Sequence, residues 1–147
     1  MDNRTRRTDI FKILFQTEFQ PETDIDELVE LYLSQEDQDD DVRRERMSDE
    51  DIVAIKNKLS SIVERIAEID DRIERESQGW SFNRIGKAEL SILRLSVYEI
   101  LYDEDASDAI IADEAVRLCK KFADDKASKF VNGILGTVIR DKDKSGE

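Results

Sequence analysis

Apolar residues recur every three or four positions along most of the chain, and no stretch alternates apolar with polar for long. That period gathers apolar side chains on one stripe of a helix, so the pattern predicts an all-α chain. Glycine (5) and proline (1) are scarce, which leaves few positions where composition alone would break a helix. A first helix is predicted over about 5–19, with Ile10, Phe11, Leu14, Phe15 and Phe19 on its stripe and Pro21 ending it. A second, near 25–33, carries Ile25, Leu28, Val29 and Tyr32. A polar connector over 34–47 leads to Ser48, placed as an N-cap before Asp49-Glu50-Asp51, whose charges suit the positive end of a helix dipole. Ile52, Ile55, Leu59, Ile62, Val63 and Ile66 then hold helical spacing over four turns, and a short helical turn over 69–75 leads to Gly79-Trp80.

The second half is more apolar. Residues 90–102 are apolar on more than one face, the pattern of a helix enclosed by others. Another amphipathic helix is predicted over 109–122, started at Ser107 or Asp108, and a last one over about 127–140 through Phe130, Val131, Ile134, Leu135 and Val138. The pattern therefore predicts about seven helices in two packed subdomains of a single domain. Its halves are about 1–78 and 79–141, with residues 142–147 fraying for want of an apolar anchor.

Composition narrows the function. At 147 residues the chain buries roughly 68–70% of its extended surface, enough to fold without disulfide or metal. A single cysteine, Cys119, allows no internal disulfide, and the absence of histidine removes imidazole bases and His-ligated metals. No glycine-rich phosphate loop occurs, and the longest apolar run, Ala109-Ile110-Ile111-Ala112, is far too short to span a bilayer. The N-terminus lacks the apolar stretch of a secretory signal. The expectation is a soluble, cytoplasmic, non-enzymatic protein without metal or cofactor.

Charge is unevenly spread. The chain holds 23 Lys+Arg against 36 Asp+Glu, a net charge of −13. Residues 21–51 carry −11 and residues 103–114 carry −6, whereas the remainder is weakly positive. Solvation explains the acids most simply. A calcium loop starting at Asp37 would need Gly at position 42 and Glu at 48, and meets Val42 and Ser48 instead. Two basic clusters stand out: Arg4, Arg6 and Arg7 at the first helix, and Lys120, Lys121, Lys126 and Lys129 around the last interhelical loop, interleaved with Phe122 and Phe130. Cations beside aromatic rings are what single-stranded RNA needs, one for phosphate and the other for unstacked bases. Basic helix ends and core phenylalanines account for the same residues.

Three motifs resemble the NusB family. They are Arg94-Leu95-Ser96-Val97-Tyr98-Glu99-Ile100, Asp113-Glu114-Ala115-Val116-Arg117-Leu118-Cys119-Lys120, and Lys129-Phe130-Val131-Asn132-Gly133-Ile134-Leu135, in the family's order and spacing. Trp80 with Arg84, and Arg7 followed by Leu14-Phe15-Gln16, are similar to it as well. The chain departs from the pattern at Asp113 (usually Asn), Ala106 (usually Pro), Ala127 (commonly Ser) and Lys126, where some members have an acid.

The resemblance implies a non-enzymatic, two-subdomain helical protein. It would bind the boxA segment of ribosomal RNA transcripts together with NusE, a small-subunit ribosomal protein, within an RNA polymerase antitermination complex. By position it assigns Arg4, Arg6, Arg7, Lys121, Lys126, Lys129 and Phe130 to RNA, and Phe15 and Glu89 to NusE. Monomer and homodimer both stay open. Phe130 has a core reading too, and for Asn132 and Gly133 packing is favoured, with the glycine letting a neighbouring helix come close. Two other functions compete. The same fold fronts a family of ribosomal RNA cytosine methyltransferases, whose cofactor loop and catalytic domain are not found in this sequence. An acidic protein-interaction module that has lost RNA binding would ignore charge reversal of the N-terminal arginines.

Overall fold

The structure, a computed structural model, describes residues 2–34, 47–77, 81–103 and 105–144. Most of the polar connector, Asp37 and its neighbours, and Gly79-Trp80 lie outside them. Among the described residues there are seven α-helices, one 3-10 turn and no strand. The chain divides into two units, Met1–Glu64 and Arg65–Glu147.

The first unit holds α1 (Asn3–Thr17), α2 (Ile25–Ser34) and α3 (Asp49–Glu64), which pack against one another. Asp2 caps α1, its carboxylate accepting the Thr5 N–H at 2.7 Å. That bond holds the Asp2 carboxyl below its ordinary pKa. The helix closes sooner than its apolar stripe suggests, because the N–H groups of Glu18 and Phe19 turn back onto the Phe15 and Gln16 carbonyls ahead of Pro21. Ile10, Phe11, Ile13 and Leu14 are buried from α1, Leu28, Val29 and Tyr32 from α2, and Ile55, Leu59 and Ile62 from α3. Each such side chain contributes about 1.5–3 kcal/mol when fully buried. Ser48 and Asp51 cap α3 reciprocally: the Ser48 hydroxyl accepts the Asp51 N–H at 3.1 Å, and the Asp51 carboxylate accepts the Ser48 N–H at 3.2 Å.

The second unit holds α4 (Ile66–Glu76), a 3-10 turn (Phe82–Arg84), α5 (Lys87–Tyr102), α6 (Asp108–Phe122) and α7 (Asp125–Lys144). The two units part at Arg65, well before the break over 78–82 that the composition suggests. Apolar spacing runs on from Ile62 through Ile66 to Ile69 and Ile73, so no pattern marks the junction. The backbone nevertheless leaves helical geometry at Arg65, with φ −106° and ψ 12°, and α4 packs on α5 and α7. Arg94 on α5 fastens α4 with two hydrogen bonds to Asp70, at 2.8 and 2.9 Å. As its apolar surround implies, α5 is enclosed, touching α4, α6 and α7 and burying Ile92, Leu93, Leu95, Val97 and Ile100.

Ser107 caps α6 through the Ile110 N–H, and Asp124 caps α7 through the Ala127 N–H at 2.7 Å. Of the tail expected to fray, residues 142–144 continue α7 to Lys144, and residues 145–147 lie outside the described residues. Three contacts hold this helix end. Arg72 reaches Asp141 at 3.7 Å, and Lys142 donates to the Ile100 carbonyl at 3.0 Å while pairing with Asp108. A cation on the last carbonyls of α5 also meets that helix's negative end.

Candidate nucleic-acid interface

Helix α6 ends in Lys120 and Lys121, the chain turns at Ala123-Asp124, and α7 starts with Lys126 and Lys129 one turn apart. The turn thus presents four lysines from two helix ends. All four are exposed, as is Arg84 in the 3-10 turn. Among the described residues none of these five cations makes an ion pair, and the Lys121 ammonium instead lies over the Phe122 ring, 5.4 Å from its centroid. Elsewhere in unit 2, Arg65, Arg72, Arg75, Arg94, Arg117, Arg140 and Lys142 are all paired with carboxylates.

Three hollows adjoin the turn. One is lined by Arg84, Ile85, Glu89, Asp124, Lys126, Ala127 and the half-buried Phe130. A second lies between α6 and α7, lined by Val116, Lys120, Asp125, Ser128, Lys129 and Asn132. The third shares Val116, Lys120 and Asn132 and adds Lys121, Arg117 and Asp113. The structure therefore brings Lys121, Lys126, Lys129 and Phe130 to one end of unit 2. It also puts Glu89, which the resemblance assigns to the protein partner, in the same hollow as Lys126 and Phe130.

The packing reading of Asn132 and Gly133 fails. A Cβ added at Gly133 would meet nothing within 4 Å, and both residues are exposed. Asn132 instead stands in two hollows beside Lys120, with no side-chain hydrogen bond among the described residues. Arg84, Lys120 and Asn132 were not among the assigned residues. Lys120 sat in the cluster the sequence shows, whereas the signal for Arg84 was only its spacing from Trp80.

The N-terminal cluster differs. Arg4 is exposed on the first turn of α1, Arg6 donates to Asp51 at 2.9 Å, and Arg7 is 6% exposed. The Ser48 N–H, and after it the Arg6 guanidinium, hold the Asp51 carboxyl below its ordinary pKa. Phe15 is half-buried in a ladder of rings, 6.1 Å from Phe11 and 5.2 Å from Phe19, and Phe19 is 58% exposed.

Cys119 offers no chemistry at this end. It is fully buried, and burial, with the Glu89 and Asp124 carboxylates adding to it, pushes its thiol up to about 12.

The sequence model of the NusB family matches residues 4–140. The chain is 38% identical over 129 residues to the transcription antitermination protein NusB of Agathobacter rectalis, covering 88% of this chain and 92% of that one. Against the protein of the same name from Carboxydothermus hydrogenoformans it is 33% identical over 148 residues, covering 100% and 99%. Among solved structures, T. maritima NusB matches with a TM-score of 0.82 at 30% identity, over 95% of this chain and 92% of that one. A crystal structure of antitermination factors NusB and NusE in complex with dsRNA contains a chain that matches with a TM-score of 0.75 at 27% identity, over 93% and 95%.

Proposed function

The chain belongs to the NusB family, and from that premise we propose that it is a transcription antitermination factor that binds boxA-type single-stranded RNA together with NusE. The observation that carries this reading is the gathering of unpaired cations. In a chain of net charge −13, five cations without an ion pair among the described residues adjoin three hollows at one end of unit 2. Lysines kept only for solubility would gain by pairing with the abundant acids. Lysines left open beside the Phe130 ring can take phosphates while the ring takes a base.

The acidic excess opposes long-range attraction of RNA within a Debye length of about 8 Å at physiological salt. A basic partner offsets that repulsion and lengthens the cationic track, which is the role we assign to NusE. Phe15, with the exposed Phe19 ring beside it, supplies an apolar contact for the partner, and Glu89 a charged one. Of the N-terminal arginines, Arg4 is the exposed one, and we assign a phosphate contact to it. The role is non-catalytic, carried out in the cytoplasm as part of an RNA polymerase complex. Among the described residues no helix is long and apolar enough to cross a membrane.

Fluorescence anisotropy of a labelled boxA-type RNA, with and without NusE, tests the reading. The pair should bind much more tightly than this chain alone, and Arg4→Glu should weaken the ternary complex. Affinity that is unchanged by NusE would refute the adaptor role.

A further inference from the structure

A groove runs along the seam between α6 and α7, and neither Phe130 nor Glu89 lines it. The two hollows that form it measure about 410 and 700 Å³ and share Val116, Lys120 and Asn132, so they make one continuous channel. Helical spacing builds its banks. On α6, Asp113, Val116 and Lys120 recur at three and four positions; on α7, Lys129, Asn132 and Gly136 do the same, with Gly133 beside them.

Charge decides what the groove takes. The first hollow sets Lys120 and Lys129 against one carboxylate, Asp125. The second sets Lys120 and Lys121 against Asp113, since its Arg117 is already paired with the buried Glu114. Both are net positive in a chain of net charge −13. Asp125 stands in the first turn of α7, where the helix dipole favours an acid, and Asp113 lies about two turns back from Lys120 along α6.

One neutral polar group is open on these walls. The buried Ser128 hydroxyl donates to the Asp125 carbonyl at 2.8 Å, whereas the exposed Asn132 carboxamide makes no hydrogen bond among the described residues. A carboxamide both donates and accepts, and so does a ribose 2′-hydroxyl. The glycines add room. Within a helix glycine is less favourable than alanine, yet a Cβ at Gly133 or Gly136 would meet nothing within 4 Å among the described residues. Packing inside the chain does not account for them, and a foreign backbone laid against the helix does.

The occupant that fits has closely spaced anions, a hydroxyl between them and a slim backbone, which is the sugar–phosphate chain of RNA. We infer that the groove between α6 and α7 carries the RNA backbone away from the lysine turn and reads one ribose. Lys120 and Lys129 take its flanking phosphates, the half-buried Val116 takes the sugar, and Asn132 takes the 2′-hydroxyl. That contact favours RNA over DNA at this nucleotide. The inference rests on the RNA-binding role proposed above and adds a sugar-reading contact to it.

The test uses the full chain, alone and with NusE, and labelled boxA-type RNAs in which each nucleotide in turn is replaced by its 2′-deoxy form. At one position the replacement should weaken binding about fivefold, the loss expected for one neutral hydrogen bond. Asn132→Ala should erase the difference between ribose and deoxyribose there, and Lys120→Ala should weaken both RNAs while leaving their ratio intact. Gly136→Gln should raise the thermal midpoint, as a better helix former, and yet weaken RNA binding several-fold by standing over the groove. If the RNA binds but no 2′-deoxy position matters, the sugar-reading contact is refuted and the RNA-binding role stands. If Asn132→Ala lowers only NusE capture and leaves the ratio unchanged, the groove is a protein contact and the inference falls. It falls as well if Gly136→Gln leaves affinity unchanged. If the wild type binds no RNA with or without NusE, both readings fall.

Discussion

Arg6 in unit 1 and Lys129 in unit 2 carry the same charge near the start of a helix, yet of the two only Arg6 makes an ion pair among the described residues. Asp51 belongs to the cap of α3, so the Arg6 bond ties the first turn of α1 to the first turn of α3. Arg7, next to it, is buried. Lys129 faces a hollow with Lys120 and Asn132 and makes no ion pair among the described residues, although Asp125 lines the same hollow. One cluster is largely engaged within its own unit, and the other makes no ion pair among the described residues. Two runs of basic residues therefore differ in what each has for a neighbour.

The largest effect should come from outside both clusters. Leu93 is fully buried on α5, and Leu93→Ala should cost about 2–5 kcal/mol by urea or guanidinium denaturation. Lys129→Ala, at an exposed position without an ion pair among the described residues, should stay within about 0.5 kcal/mol. Comparable losses would show that the lysine cluster is structural after all.

Next in size is the split between clusters in RNA binding. Lys126→Glu should reduce affinity about tenfold or more, since it removes a phosphate contact and puts a carboxylate in its place. Arg6→Ala should reduce it far less and instead lower the thermal midpoint. Equal losses of affinity by anisotropy would mean that Arg6 leaves Asp51 to meet the RNA.

A smaller effect concerns acid. The Asp51 carboxyl has a lowered pKa in the folded state, so the ionised form is favoured by folding. Its contribution is complete above the ordinary value of 3.8 and is lost as pH falls through the lowered one. Stability curves of the wild type and Asp51→Asn should therefore converge toward low pH. A gap that is constant with pH would contradict the assignment.

Smallest at neutral pH is the effect of Cys119, whose thiol pKa is pushed from 9.0 to about 12. The unfolded thiol ionises first, so stability should decline as pH rises above 9. Iodoacetamide should label native protein much more slowly than denatured protein. Rapid native labelling would show an accessible thiolate.

Most of the fold was legible because its punctuation is local. Ser48 and Ser107 cap the helices they precede, and the all-round apolar character of 90–102 marked α5 as enclosed. The junction at Arg65 was not legible, because an unbroken apolar spacing serves the cores of two units. The order of the tail was hidden for a similar reason: Lys142 is held by the Ile100 carbonyl, a partner distant in sequence. At the site, the lysine cluster and Phe130 were visible as a basic and aromatic run. Their availability was not, since pairing is a property of the folded surface. Gly133 shows the limit most plainly. Small size suits both close helix packing and an open face, and only the folded surroundings distinguish them.

On the proposed reading, the lysines that make no ion pair among the described residues, and not the paired Arg6, neutralise RNA phosphate. The direct measurement is the dependence of RNA affinity on salt, in the presence of NusE, for the wild type, Lys120→Ala/Lys126→Ala/Lys129→Ala and Arg6→Ala. Each lost phosphate contact on a single strand reduces the slope of log affinity against log salt by about 0.7. The slope should be about 2 shallower for the triple variant and close to wild type for Arg6→Ala. An unchanged slope in the triple variant, or an equal drop in Arg6→Ala, would contradict that reading.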